Sequence, residues 1–101
     1  MGVLSSQHIR NLIEGFEPLV SDLVDIEAQI QPNGIDLTVA SLETLVGPGQ
    51  IGLTNDDRVL APAQNVSFND EGFAELPPGV YVARLNEVVH LPLNIMAIAK
   101  P

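Results

Sequence analysis

Four clusters of turn-forming residues constrain this chain more than any other feature: Gly47-Pro48-Gly49, Asn55-Asp56-Asp57, Asn69-Asp70-Glu71-Gly72 and Pro77-Pro78-Gly79. Glycine reaches backbone conformations closed to other residues, proline fixes φ, and Asn and Asp side chains bond to their own backbone. Each cluster therefore interrupts whatever regular element precedes it. Between them lie short runs at residues 50–53, 58–60, 66–68 and 73–76. Short runs at about 8–12-residue spacing predict an all-β sandwich or barrel. There is no βαβ alternation and no Gly-rich loop opening a helix, so P-loop and dinucleotide sites are excluded.

The last quarter is the most strand-like. Residues 80–85 are β-rich, with Val80 and Val82 on one face and Tyr81, Ala83 and Leu85 on the other. Residues 87–90 continue after Asn86, and Leu91-Pro92-Leu93 breaks the ladder. Residues 95–99, Ile-Met-Ala-Ile-Ala, contain no polar side chain and predict a strand covered on both faces. The sequence stops two residues later, at Lys100-Pro101, which leaves no residues to flank such a strand. The expectation is an N-terminal piece of a longer domain, with self-association through the unpaired apolar edge when it stands alone.

The front of the chain opens with a helix signal. Ser5 or Ser6 can cap the first turn, and Ile9, Leu12, Ile13 and Phe16 recur at helical spacing, so a short amphipathic helix is predicted over residues 6–14. His8 falls at its solvent-facing start. Gly15 and Pro18 end it. Residues 19–30 read ambiguously: Leu19, Val20, Leu23 and Val24 fit a helical turn or two, and residues 25–30 are compatible with an extended arm. Next comes Gln31-Pro32-Asn33-Gly34-Ile35-Asp36-Leu37-Thr38-Val39, a tight turn leading into a strand predicted over about residues 35–42. Asn33 and Gly34 suit the positive φ of a sharp reversal. Ile35, Leu37 and Val39 then alternate with Asp36 and Thr38. A lone carboxylate leaving a turn can hold a metal or order a water, and it can equally be a solvated side chain on an outer face.

Charge narrows the partners. Thirteen acidic and four basic residues give a net charge of −9, which argues against nucleic-acid binding by phosphate neutralisation. An acidic surface accepts a phosphorylated ligand when a divalent metal bridges the charges. At 101 residues the chain is one domain at most, burying roughly 60–70% of its unfolded surface. No cysteine is present, so disulfides, thiolate nucleophiles and cysteine-zinc sites are excluded. No basic-then-apolar leader opens it, and no apolar run approaches the roughly 18 residues that span a bilayer. A cytoplasmic protein that binds neither nucleic acid nor membrane is expected.

Few groups invite catalysis. Serines and histidines exist, but nothing in the sequence places them together, and His90 reads as an ordinary strand histidine. Two distant histidines provide no metal-ligand spacing. Asp56-Asp57 and Asp70-Glu71 belong to turn clusters, where carboxylates serve turn chemistry. Glu87 lies among strand residues and reads as a buried acid with Arg84 as its nearest candidate partner.

Taken together, three blocks go further. Leu4-Ser5-Ser6 with its helix, Ile30-Gln31-Pro32-Asn33-Gly34-Ile35-Asp36-Leu37-Thr38, and the series Leu76-Pro77-Pro78-Gly79-Val80-Tyr81, Asn86 through Pro92 and Ala97-Ile98-Ala99-Lys100-Pro101 occur in one order. In this arrangement the chain resembles the dUTPase / dCTP deaminase superfamily, and within it the archaeal-type dUTPases. The resemblance implies a distorted β-barrel or jelly-roll and a homotrimer with active sites between subunits. It also implies hydrolysis of dUTP to dUMP and pyrophosphate with Mg2+, or deamination of dCTP in relatives. Asp36 corresponds to the first-motif aspartate at the metal–triphosphate end, acting through water, with Asn33 and Gly34 shaping the turn that presents it. Glu87 also matches a family position and is given a structural role. The Arg-Ser-Ser-Leu phosphate motif expected after Lys100-Pro101 and the later base- and water-positioning motifs do not occur in these residues. The catalytic and substrate-binding residues are therefore expected outside them, with these 101 residues alone inactive. A non-catalytic trimerising or binding module is the alternative.

Overall fold

A computed structural model describes residues 2–101. The chain is mainly β with a short N-terminal helix, as the sequence predicts. Its strands form three antiparallel sheets, and among the described residues these do not close into a barrel. Two compact units divide it: one runs up to Thr38 and resumes from Leu85 to Pro101, and the other is Val39–Arg84. No helix among the described residues is long and apolar enough to cross a membrane.

In the first unit, α1 spans Ser6–Ile13. Ser5 is its N-cap, with Oγ accepting from the His8 amide, and this satisfies one of the free amides of the first turn. Ile9 is buried, while Leu12 and Ile13 are half-buried on the same face. The helix closes before Phe16, which is fully exposed, so the fourth position of the expected apolar stripe lies outside it.

The structure resolves the ambiguous residues 19–30, in the opposite order to the two local signals. The first part is a strand, β1 (Val20–Ser21), and the second is a helix, α2 (Ile26–Gln29). Asp22 has φ +61°, a left-handed conformation that a continuing helix does not tolerate. Asp25 then caps the next turn, its carboxylate accepting from the Ala28 amide. Strands β2 (Ile30–Gln31) and β3 (Gly34–Ile35) follow as a hairpin, with Ile30 opposite Ile35 and Gln31 opposite Gly34. At the far end of the unit, β7 (Val88–Val89) pairs with β1, Val20 opposite Val89 and Ser21 opposite Val88. The His90 amide extends that ladder to the Leu19 carbonyl at 2.8 Å.

The second unit contains β4 (Val39–Leu45), β5 (Ala63–Asn65) and all but the last residue of β6 (Tyr81–Leu85), in the order β5-β4-β6. The strand expected over residues 35–42 is thus two elements, β3 and β4, interrupted at Asp36–Thr38. Other expectations fail here. Residues 50–53 and 58–60 contribute a single bridge, Gln50 with Val59, and residues 66–68 and 73–76 form no strand. Residues 95–99 also form none, and instead of being covered on both faces they leave Ile98 at 89% exposure. A strand exists only where a second strand takes up its backbone groups, and apolar composition does not supply that partner.

Candidate functional site

The first two sequence blocks and the Asn86-Glu87 part of the third meet in the first unit, while Leu76–Tyr81 of the third block lies in the second. Pro32 and Asn33 are the two turn residues of the β2–β3 hairpin. Among the described residues, positive φ is confined to Asp22 and Gly72, so the reversal does not use the left-handed conformations that Asn33-Gly34 allow. Proline at the first central position presets an ordinary turn instead. This turn rests on the first block: the Ser6 amide donates to the Pro32 carbonyl at 2.8 Å, and Asn33 Nδ2 donates to the Leu4 carbonyl at 3.2 Å. A Cβ added at Gly34 would meet open space, so no crowding demands glycine there.

Asp36 follows the hairpin directly and is exposed. Gln31 Nε2 donates to its Oδ2 at 3.0 Å. The Asp36 backbone is held on both sides by one residue. Its amide donates to the Gln29 carbonyl at 2.8 Å, and its carbonyl accepts from Gln29 Nε2 at 2.9 Å.

The third block enters through Glu87, which is 6% exposed. Its Oε1 accepts from the Thr38 amide at 2.8 Å, and its Oε2 accepts from the Thr38 hydroxyl at 2.6 Å and from Gln29 Nε2 at 2.9 Å. Asn86 adds two further bonds to Thr38: its amide to the Thr38 carbonyl and its Nδ2 to the Thr38 hydroxyl oxygen, each at 2.9 Å. Burial pushes the Glu87 carboxyl up, but the Thr38 hydroxyl and amide, its own backbone amide and the Gln29 amide outweigh burial and hold it below its ordinary value. A carboxylate that is buried without a cation persists because donors surround it.

The expected Glu87–Arg84 pair is not formed. Arg84 lies 3.5 Å from Glu43 in the other unit, and Glu87 is satisfied by uncharged donors. Arg10 is also engaged, with both guanidinium nitrogens on the Glu27 carboxylate at 3.0 and 3.2 Å. Of the turn acids, Asp57 behaves as read from the sequence, accepting from the Thr54 amide and hydroxyl. His90 does meet a serine, with Nε2 3.4 Å from Ser21 Oγ. No carboxylate among the described residues is hydrogen-bonded to that histidine, so no triad forms.

Metal chemistry has one candidate anchor. Among the described residues no three His, Cys, Asp or Glu side chains cluster as a metal-binding group. Asp36 is a single exposed carboxylate, with one oxygen on Gln31 and the other without a donor among the described residues. That donor set fits a magnesium ion, which keeps most of its waters and needs only one or two carboxylates beside substrate phosphates.

Sequence reasoning passed over Gln29 and gave no role to Thr38. Gln29 is the centre of the arrangement, 58 residues from Glu87 in the chain. Its only sequence signal is position: an uncharged polar side chain directly before the Ile30 block.

The dCTP deaminase-like family model matches residues 3–101. A protein of Methanosarcina mazei named probable deoxyuridine 5'-triphosphate nucleotidohydrolase is 42% identical over the whole chain, which covers 59% of that protein. One of the same name from Archaeoglobus fulgidus is 50% identical over the whole chain, covering 58% of it. The deoxyuridine 5'-triphosphate nucleotidohydrolase of Methanocaldococcus jannaschii is 35% identical over 77 residues, 74% of this chain and 49% of that protein. The chain thus spans between about half and three fifths of the length of these relatives. No solved structure matches.

Proposed function

Since the chain belongs to the dCTP deaminase-like family, we propose that it is part of a dUTP nucleotidohydrolase that converts dUTP to dUMP and pyrophosphate with Mg2+. The observation that carries this reading is Asp36 itself, an exposed carboxylate just after the hairpin on a backbone that Gln29 fixes from both sides. Its support is the activity for which the archaeal relatives are named.

Magnesium bound beside Asp36 would neutralise triphosphate charge in a chain of net charge −9. Asp36 would hold such an ion through its carboxylate, which Gln31 orients through Oδ2, while Asn33 ties the turn to Leu4. Gly34 pairs with Gln31 and keeps the hairpin register that places Asp36. The groups that bind the base and direct the attacking water lie outside the roles these residues fill. Assembly is a homotrimer with sites between subunits, as the family resemblance implies, and exposed Leu93, Met96 and Ile98 are consistent with association. The protein works in the cytoplasm.

A second reading, deamination of dCTP, is favoured by the family model's own description. Pyrophosphate release from dUTP by the whole enzyme of which this chain is proposed to be part, followed beside ammonia release from dCTP with and without Mg2+, separates the two. The expected outcome is Mg2+-dependent pyrophosphate release that falls on the order of a hundredfold in Asp36→Asn. Ammonia release alone would overturn the reading.

A further inference from the structure

Gln29 has a side-chain amide with two protons and one oxygen, and all three are assigned. Oε1 accepts from the Asp25 amide at 2.7 Å, while Nε2 donates to the Asp36 carbonyl and to Glu87 Oε2, both at 2.9 Å. An ionised carboxylate only accepts, so Glu87 dictates which end of that amide faces inward. Turned over, the amide would set its oxygen against both the Glu87 carboxylate and the Asp36 carbonyl. It would also present N–H to N–H at Asp25.

Glu87 cannot itself reach a ligand. It is 6% exposed, and its oxygens already receive three donors. Its influence on the exposed site passes through Gln29, whose backbone carbonyl and side-chain Nε2 hold the amide and the carbonyl of Asp36.

We infer that Glu87 is a positioning residue for Asp36, acting through the Gln29 amide: the buried carboxylate orients the amide, and the amide fixes the backbone that presents the Asp36 carboxylate. The inference deepens the proposed function and rests on its reading of Asp36 as the metal anchor. A bare packing role for Glu87 would need only that its own donors be satisfied. A positioning role needs the Gln29 amide in one orientation, and this difference can be measured.

The test compares Glu87→Gln, the exchanged pair Gln29→Glu/Glu87→Gln, and Asp36→Asn. In Glu87→Gln the new amide keeps its oxygen on the Thr38 amide, so its nitrogen confronts Gln29 Nε2, donor against donor. Thermal stability falls, the Asp36 amide exchanges faster with solvent, and Mn2+ binding, read by water proton relaxation, weakens on the order of tenfold. The exchanged pair restores a donor–acceptor match between positions 29 and 87, and most of the stability returns. It also sets a carboxylate against the Asp36 carbonyl, so fast Asp36 exchange and weak Mn2+ binding persist. Protection of the Thr38 amide in both variants shows that the Glu87 pocket is still formed.

Wild-type Asp36 exchange in the exchanged pair, or in Glu87→Gln, would overturn the positioning role. Asp36→Asn with undiminished Mn2+ binding would overturn the metal reading of Asp36, and the exchange data would still decide whether Glu87 positions it.

Discussion

All five residues buried among the described ones, Ile9, Leu19, Val20, Gln29 and Glu87, belong to the unit that runs to Thr38 and resumes at Leu85. The Val39–Arg84 unit buries none and leaves Ile51, Leu53, Leu60 and Phe73 exposed, although it contains the longest strand. A β-ladder satisfies backbone groups whichever way its side chains point, whereas burial needs a second surface to pack against. The first unit obtains that surface by setting α1, the hairpin and β7 around one another, and it then closes a polar network inside. The second is held chiefly by its backbone bonds. The candidate site lies where side chains, as well as backbone, fix the geometry.

Removing Glu87 should break the contrast most sharply. Glu87→Ala orphans the Thr38 amide and one Gln29 proton in a buried place, at a cost of about 3 kcal/mol or more. Urea denaturation should show it as a lowered midpoint, and a loss under about 1 kcal/mol would mean that the network does not hold the first unit. Next in size is the apolar comparison. Ile9→Ala should cost about 2–4 kcal/mol by opening a cavity, while Leu53→Ala at a fully exposed position should cost almost nothing. Equal losses at the two positions would erase the distinction.

Acid gives a smaller and graded test. Glu87 titrates below its ordinary value of 4.5 when folded, so the unfolded chain binds more protons in the acid range. The stabilisation is complete above about that pH and is lost as pH falls from it through the folded value. Stability measured from pH 6 downward should lose this component in Glu87→Gln. An unchanged acid profile in that variant would show that Glu87 is not the titrating group. The smallest effect belongs to the second unit: Glu43→Ala removes a 3.5 Å ion pair to the mostly exposed Arg84 and should change stability by no more than about 0.5 kcal/mol.

What could be read in advance was local. Helix α1 followed from a capping serine and helical spacing, the hairpin from Pro32-Asn33-Gly34, and β6 from its β-rich run. The family resemblance singled out Asp36 and its turn from the same local wording. The errors fell where local signals were balanced or where a partner was required. Residues 19–30 held helix and strand signals in equal measure, and Asp22 and Asp25 decided them through a left-handed φ and a cap. Residues 73–76 and 95–99 had strand composition without a neighbouring strand to bond to.

By itself, then, the sequence determined the α1 helix, the hairpin turn, the β-rich character and an aspartate delivered just after the turn, because caps, side-chain periods and turn chemistry act within a few residues. Only the tertiary structure decided that Glu87 joins Thr38 and Gln29 rather than its chain neighbour Arg84. The two halves of that network are 49 and 58 residues apart, and they meet because β7 pairs with β1 and returns the chain to the hairpin. A buried carboxylate is satisfied by the donors that the fold brings to it, and sequence distance carries no information about which those are.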